Sequence, residues 1–196
     1  AEQAASLRRF VLEADTLSPT VVHVTKLAVE GGRAKARRMP DGTIQAMGLA
    51  FGPSPNPSAK SGNPLAFLAL LPKGFHARLD ELSVRDTRAE FVDGAVAPEA
   101  DLAFAVQDFT IRDIVLDPKQ PNAPLAIAGR FSSPGVARSI EVAGTARPFA
   151  DRKTATVAVR ADGVRPDAIR PYLDLFGIQS DLKDASLTCD FDAAVS

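Results

Sequence analysis

The chain is predicted to be mainly β, an extended antiparallel sheet with one or two short helices. Three observations predict this. Apolar and polar residues alternate with period two through most of the sequence, so successive side chains point to opposite faces of a strand. Turn residues recur at intervals of about 8–12 residues, the spacing of short strands in all-β proteins. Regular strand–helix alternation, the mark of a doubly wound α/β fold, does not occur.

Taken in order, strands are expected at 6–14, 21–29, 33–38, 43–51 and 76–91, then around 101–111, and at 125–131, 139–146, 154–161 and 185–195. Turn chemistry separates them: Gly31-Gly32, Pro40-Asp41-Gly42, Asp93-Gly94, Pro118 with Pro121, Pro134-Gly135, and Asp151 to Lys153. The last strand is the clearest. Leu187, Cys189 and Phe191 alternate there with Thr188, Asp190 and Asp192. In the strand beginning near Asp101, Leu102, Phe104 and Val106 share one phase, which slips by one residue to Phe109 and Ile111. A slip of that kind predicts a β-bulge at Gln107 and Asp108.

Two helical pieces are expected. Residues 166–176 place Ile169, Leu173 and Phe176 at helical spacing behind Pro166, with Gly177 as the stop. Residues 64–71 form a short apolar run ending at Pro72. Before it, residues 53–63 are a Pro/Ser/Gly loop with nothing to bury, expected to be flexible. A weak internal repeat also runs through the chain. Leu27-Ala28-Val29 is followed by Arg33-Ala34, and Leu82-Ser83-Val84 by Arg88-Ala89, at the same spacing, and Leu182 to Leu187 echoes the same strand entry. Repeats of this kind point to stacked supersecondary units.

With 196 residues the chain is long enough to bury a core of its own. A net charge of -1 argues against a nucleic-acid binder, which carries a basic stripe and a high pI. The longest apolar run falls far short of the roughly 20 residues that span a bilayer. The chain starts at Ala1 with neither a basic n-region nor an apolar h-region, so no signal peptide is read here, and a mature or excised protein would look the same. The single cysteine, Cys189, excludes an intrachain disulfide framework.

The residues that would carry catalysis are missing. One Cys and two His cannot build a Cys-rich zinc site, and neither His23 nor His76 has a second imidazole at ligand spacing. Both read as ordinary surface histidines. There is no Gly-x-Ser-x-Gly elbow, no phosphate-cradling P-loop and no Gly-x-Gly-x-x-Gly turn. Asp190 and Asp192 alternate with apolar residues on a strand and read as a solvated face. No metal, cofactor or catalytic residue is expected. Arg33, Lys35, Arg37 and Arg38 form the one basic run, and alternation with Ala34 and Ala36 puts Arg33, Lys35 and Arg37 on a single strand face. They read either as an exposed or edge-protecting row or as contacts for lipid head groups or a partner.

What remains positive is apolar. Leu102, Phe104, Val106, Phe109, Ile111, Ile140, Val142, Val157, Val159, Leu187 and Phe191 are positioned to build a continuous surface across neighbouring strands. The ordinary outcome for such residues is a closed sandwich core. The other is a groove open on one side, which demands an apolar ligand or partner. An aromatic set of 11 Phe, one Tyr and no Trp suits an apolar surface better than a hydrogen-bonding pocket.

Residues 75–173 resemble the AsmA-like family of Gram-negative envelope proteins. The carriers are Leu79-Asp-Glu-Leu-Ser-Val-Arg-Asp-Thr-Arg-Ala-Glu-Phe-Val-Asp93, the strand 102–116, Pro124-Leu-Ala-Ile-Ala-Gly-Arg-Phe131, Ile140-Glu-Val-Ala-Gly-Thr-Ala146 and Val164-Arg-Pro-Asp-Ala-Ile-Arg-Pro-Tyr-Leu173. The motifs are patterns of apolar strands and turns, not a catalytic string, and they cover about half the chain well. The resemblance implies one β-rich segment, 1–196, of a larger periplasmic protein anchored in the inner membrane through parts absent from this chain. Repeat units would fall at about 1–52 and 75–174, with a flexible loop at 53–64 and a further unit beginning at 178–196. It implies a curved, twisted sheet forming an open groove or half-barrel, related to bridge-like lipid-transfer proteins. The implied partners are a phospholipid or other acyl-chain lipid and the flanking repeats, and the implied role is outer-membrane lipid homeostasis without catalysis. A module that associates through its sheet edges is the alternative expectation.

Overall fold

The computed structural model describes residues 5–46, 48–52, 72 and 74–195. The expected loop at 53–64 and the helical piece at 64–71 lie outside the described residues. The strands are β1 (Ala5–Ser6), β2 (Arg9–Leu17), β3 (Val21–Glu30), β4 (Arg33–Arg38), β5 (Ile44–Ala46), β6 (Leu49–Phe51), β7 (His76–Asp93), β8 (Ala100–Leu116), β9 (Leu125–Ser133), β10 (Ala137–Arg147), β11 (Lys153–Val164) and β12 (Ala185–Val195). A single short helix, α1 (Arg170–Leu175), stands among them in the described residues. All twelve strands join one sheet, which is mostly antiparallel and not closed into a barrel. The mainly β fold expected from the alternation is therefore the fold observed.

From one edge the order is β12, β11, β10, β9, β8, β7, and the far edge of β7 is then shared by β3 and β4. These two pair with β7 in parallel, unlike every other pair of strands among the described residues. A parallel neighbour needs a long crossover, and the chain between Arg38 and His76 supplies it. β2 then lies on β3, while β1 and β5 lie on β4. The expected strand at 43–51 is instead a β5–β6 hairpin that reverses near Gly48, whose φ of +78° suits glycine.

The parallel register gives the sequence repeat a physical meaning. Leu27 lies beside Leu82, Val29 beside Val84, Arg33 beside Arg88 and Ala34 beside Ala89. Equivalent positions of the repeat are thus neighbours in the sheet. Between β3 and β4 Gly31 turns at φ +67°, donating its N–H to the Arg85 carbonyl while Arg88 donates to that of Gly32. On β7 the matching break is Asp86, at φ +50°, and on β8 the register skips one residue between Val106 and Asp108. That is the bulge the phase slip predicted. A second break of the same geometry lies on β11. Gly163, also at φ +67°, faces the Cβ of Arg138 as Gly31 faces that of Arg8, a β carbon added at either glycine falling 2.7 Å from it. Each arginine then reaches an aspartate, Arg8 to Asp86 and Arg138 to Asp184.

α1 is shorter than expected. Pro166 begins a turn in which Ala168 donates to the Gly135 carbonyl, and the helix starts at Arg170 with Pro171 in its first turn, where a missing N–H costs nothing. Gly177, at φ +66°, ends it. The helix is tied to the sheet by Tyr172, whose hydroxyl donates to Asp93 Oδ2 at 2.8 Å. Asp93 is 2% exposed and also faces Arg38 at 3.5 Å. Burial and the neighbouring carboxylate push the Tyr172 phenol up to about 12.

Replacing Tyr172 by Phe leaves the Asp93 carboxylate short of a partner in a buried position. Urea denaturation is expected to show a loss of about 1–3 kcal/mol. An unchanged midpoint would mean that α1 is not anchored through this bond.

Candidate functional site

Residues opposite each other in a ladder share a face, so the registers sort every strand. Phe91 stands opposite Leu102, Ala89 opposite Phe104, Val84 opposite Phe109 and Leu82 opposite Ile111. Val106 faces Phe131, which faces Ile140, and Ile140 faces Ala161, which faces Leu187. Val142 faces Val159, and Val157 faces Phe191. The bulge at Gln107 keeps Val106 and Phe109 on the same side. All eleven groove candidates therefore lie on one face.

The face extends beyond them, through Leu79, Leu82 and Val84 to Val22, Val24, Leu27 and Val29, and on to Phe10, Leu12 and Leu17. Alternation identifies these strands but stops the surface at β8, because pairing across β7 in parallel is not visible in alternation alone. Thr87 and Cys189 stand among the apolar residues of this face. Among the described residues its strands carry charged side chains only at the margins: Asp93 beside Arg38, with Ser133 near by, and Lys153 opposite Val195 at the end of β11. The eight strands from β2 to β12 that build it, set side by side, span roughly 34 Å.

Nothing covers this surface among the described residues. Among the described elements substantial packing runs only along the ladder order, with no second layer. The buried apolar residues are Ala28, Val96, Ala100, Ala137, Ala150 and Ala161, all small. Phe104 is 41% exposed, Leu187 53%, and Phe191 57%. Among the described residues the closed sandwich core favoured as the ordinary outcome does not form, since a core needs a facing layer. At the centre of the face Phe131 stacks on Phe104 with ring centroids 5.4 Å apart and tilts against Phe109 at 5.9 Å. Gly129 makes room for them: a β carbon there would sit 2.7 Å from the Phe131 ring and 2.9 Å from that of Phe109.

The opposite face is ionic. Arg130 pairs with Asp108 at 2.6 Å, Lys35 with Glu90 at 3.3 Å and Arg112 with Glu81 at 3.4 Å, each across neighbouring strands. A shallow depression of about 420 Å³ lies here, floored by Ala128, Ala143 and Ala158 and flanked by Arg130, Glu141 and Arg160. Arg33, Lys35 and Arg37 belong to this face, alternating with Ala34 and Ala36 on the apolar side. They do not border the apolar surface, so they are not placed to hold the head groups of lipids lying on it. The edge-protecting reading fails as well, because β4 is flanked on both sides.

His23 and His76 each meet a carboxylate. His76 Nδ1 lies 3.0 Å from Asp117, and His23 sits between Asp80 at 2.9 Å and Asp15 at 3.4 Å. Arg78 also reaches Asp80 and Asp113. The Asp80 hydrogen bond raises the His23 pKa above 6.5, while Arg78 and His23 lower that of Asp80 below 3.8. Among the described residues no cluster of three or more His, Cys, Asp or Glu is arranged for a metal ion. Comparison with family models, curated proteins and solved structures finds no match for this chain.

A raised histidine pKa favours the folded state fully below the unfolded value of 6.5, and that contribution is lost as pH climbs through the folded value. NMR titration is expected to show His23 protonating above 6.5 and returning towards it in Asp80→Asn. A His23 titration that Asp80→Asn leaves in place would remove Asp80 as the cause.

Proposed function

We propose that this chain is a non-enzymatic lipid-binding segment whose apolar sheet face receives acyl chains. The observation that carries the reading is the continuous apolar face from Phe10 to Phe191, large in side chains and uncovered by any described element. A surface of that extent is costly in water and marks a site for an apolar ligand or partner. Each methylene taken from water contributes about 0.8 kcal/mol, so a pair of acyl chains gains enough to stay without a single specific hydrogen bond. Branched and aromatic side chains with charged groups only at the margins suit a ligand recognised by its hydrocarbon part, with head groups left in water beyond the strand ends.

The resemblance of residues 75–173 to AsmA-like envelope proteins extends the proposal to a periplasmic segment of an inner-membrane-anchored protein that moves phospholipid. A second reading has its own support. Among the described residues β12 pairs only with β11, and its other edge leaves a strand from Ala185 to Val195 with no Lys, Arg or Pro to discourage further pairing. Such an edge fits association with another strand by β-augmentation.

Protein purified without detergent from a phospholipid-containing host is expected to show lipid adducts by native mass spectrometry. Phe104→Asp and Phe191→Asp, both at exposed positions of the apolar face, should fold and cut retention on the order of tenfold, because a carboxylate is poorly solvated against hydrocarbon. Adduct-free protein that remains bare after incubation with phospholipid vesicles would sink the lipid reading. Ladders of bare oligomers would move the assignment to the β12 edge.

A further inference from the structure

We infer that Arg33, Arg85 and Arg88, on the ionic face of the sheet, form a binding site for a phosphate group. The three occupy neighbouring positions. Arg33 stands directly beside Arg88 in the parallel β4–β7 ladder, and Arg85 is the preceding residue of the same face on β7, across the break at Asp86. All three are exposed. Like charges set opposite each other on adjacent strands destabilise a sheet, yet here the repeat that aligns the strands puts two guanidinium groups side by side.

The carboxylates around them are already engaged. Glu30 pairs with Arg9 at 3.7 Å, Asp86 with Arg8 at 3.3 Å, Asp108 with Arg130 at 2.6 Å and Glu90 with Lys35 at 3.3 Å. Arg33, Arg85 and Arg88 make no ion pair of their own among the described residues, which leaves three positive charges in excess on one patch of a chain whose net charge is -1. Edge protection does not explain them, because β4 and β7 are both interior strands. A tetrahedral anion with several acceptor oxygens matches a group of planar, five-donor guanidinium forks better than a single carboxylate does. The site lies on the face opposite the apolar surface, so it stands whether or not lipid binds there. Its phosphate belongs either to the head groups of an anionic lipid surface or to a soluble phosphate ester.

The melting temperature is measured with inorganic phosphate against sodium chloride at equal ionic strength. The parent protein is expected to rise with phosphate. Arg33→Gln/Arg88→Gln is expected to melt at least as high as the parent in chloride, since repulsion is relieved, and to weaken the phosphate response on the order of tenfold. Arg160→Gln, at a residue paired with Asp162, should keep the full response. Cosedimentation with phosphatidylglycerol vesicles but not phosphatidylcholine vesicles, lost in the double variant, assigns the phosphate to a lipid surface. A phosphate response without vesicle binding assigns it to a soluble ester. No phosphate-specific rise in the parent, or an equal rise in the double variant, overturns the site.

Discussion

β7, through the parallel register it imposes on β3 and β4, governs the layout of both faces of the sheet. A parallel pair with matching residues side by side can be satisfied only if both strands carry the same sequence of faces, and here they do: Leu27 and Leu82, Val29 and Val84, Arg33 and Arg88. One residue of slip would turn the apolar row of β3 and β4 to the ionic side. The breaks at Gly31 and Asp86 fall at the same level, so both strands interrupt their pleat together and resume in phase. That shared interruption is why the arginines on the other side meet. Together with a further break at Asp113 (φ +60°) on β8, between Ile111 and Ile114, it keeps the apolar face in phase from β2 to β12.

The consequence is a sheet with very little core. Among the described residues the buried apolar side chains of the sheet are alanines and one valine, and the large apolar ones stand half-buried or exposed. Cohesion rests on the backbone ladders, on cross-strand pairs such as the Phe104–Phe131 stack, and on the packing of side chains against strand neighbours. Outside the ladders, a strand end is sealed through Tyr172 and Asp93, where a buried carboxylate is held by a phenol and faces Arg38. A single layer of this kind buries little on folding alone. Anything that covers the apolar face in the folded state therefore adds to stability by mass action, because the unfolded chain offers no such surface to bind.

Alternation made the strands legible, because side chains of a strand with one wet face must alternate. The same rule located the bulge in β8, where a slip of phase at Gln107 has no other inexpensive cause. It also put all eleven groove residues on one face before any register was known. What alternation cannot carry is the identity of a neighbour across a long connection. For that reason the parallel partners of β7, the extension of the face through Val24 and Leu27, and the company of Arg33 were out of reach. The repeat held the missing information: equal spacing at 27–34 and 82–89 is the parallel register itself. Composition, for its part, could not separate a closed core from an open face, since both ask for the same residues and differ only in whether a second layer exists.

The two faces also divide the chemistry. A ligand on the apolar side is selected by hydrocarbon and meets charge only at the sheet's margins, while a ligand on the ionic side meets arginines whose nearest carboxylates are already engaged. Backbone and β carbons separate the two, so binding on one side neither supplies nor removes a contact on the other. Coupling between them would have to pass through the sheet's own geometry, and the breaks at Gly31, Asp86 and Gln107 are where a change in twist would be felt on both sides. Phe109 and Asp108 are consecutive residues just past that break, one beside the Phe131 ring and the other paired with Arg130. A shift of pleat at Gln107 therefore moves an aromatic contact of the apolar face and an ion pair of the opposite face together.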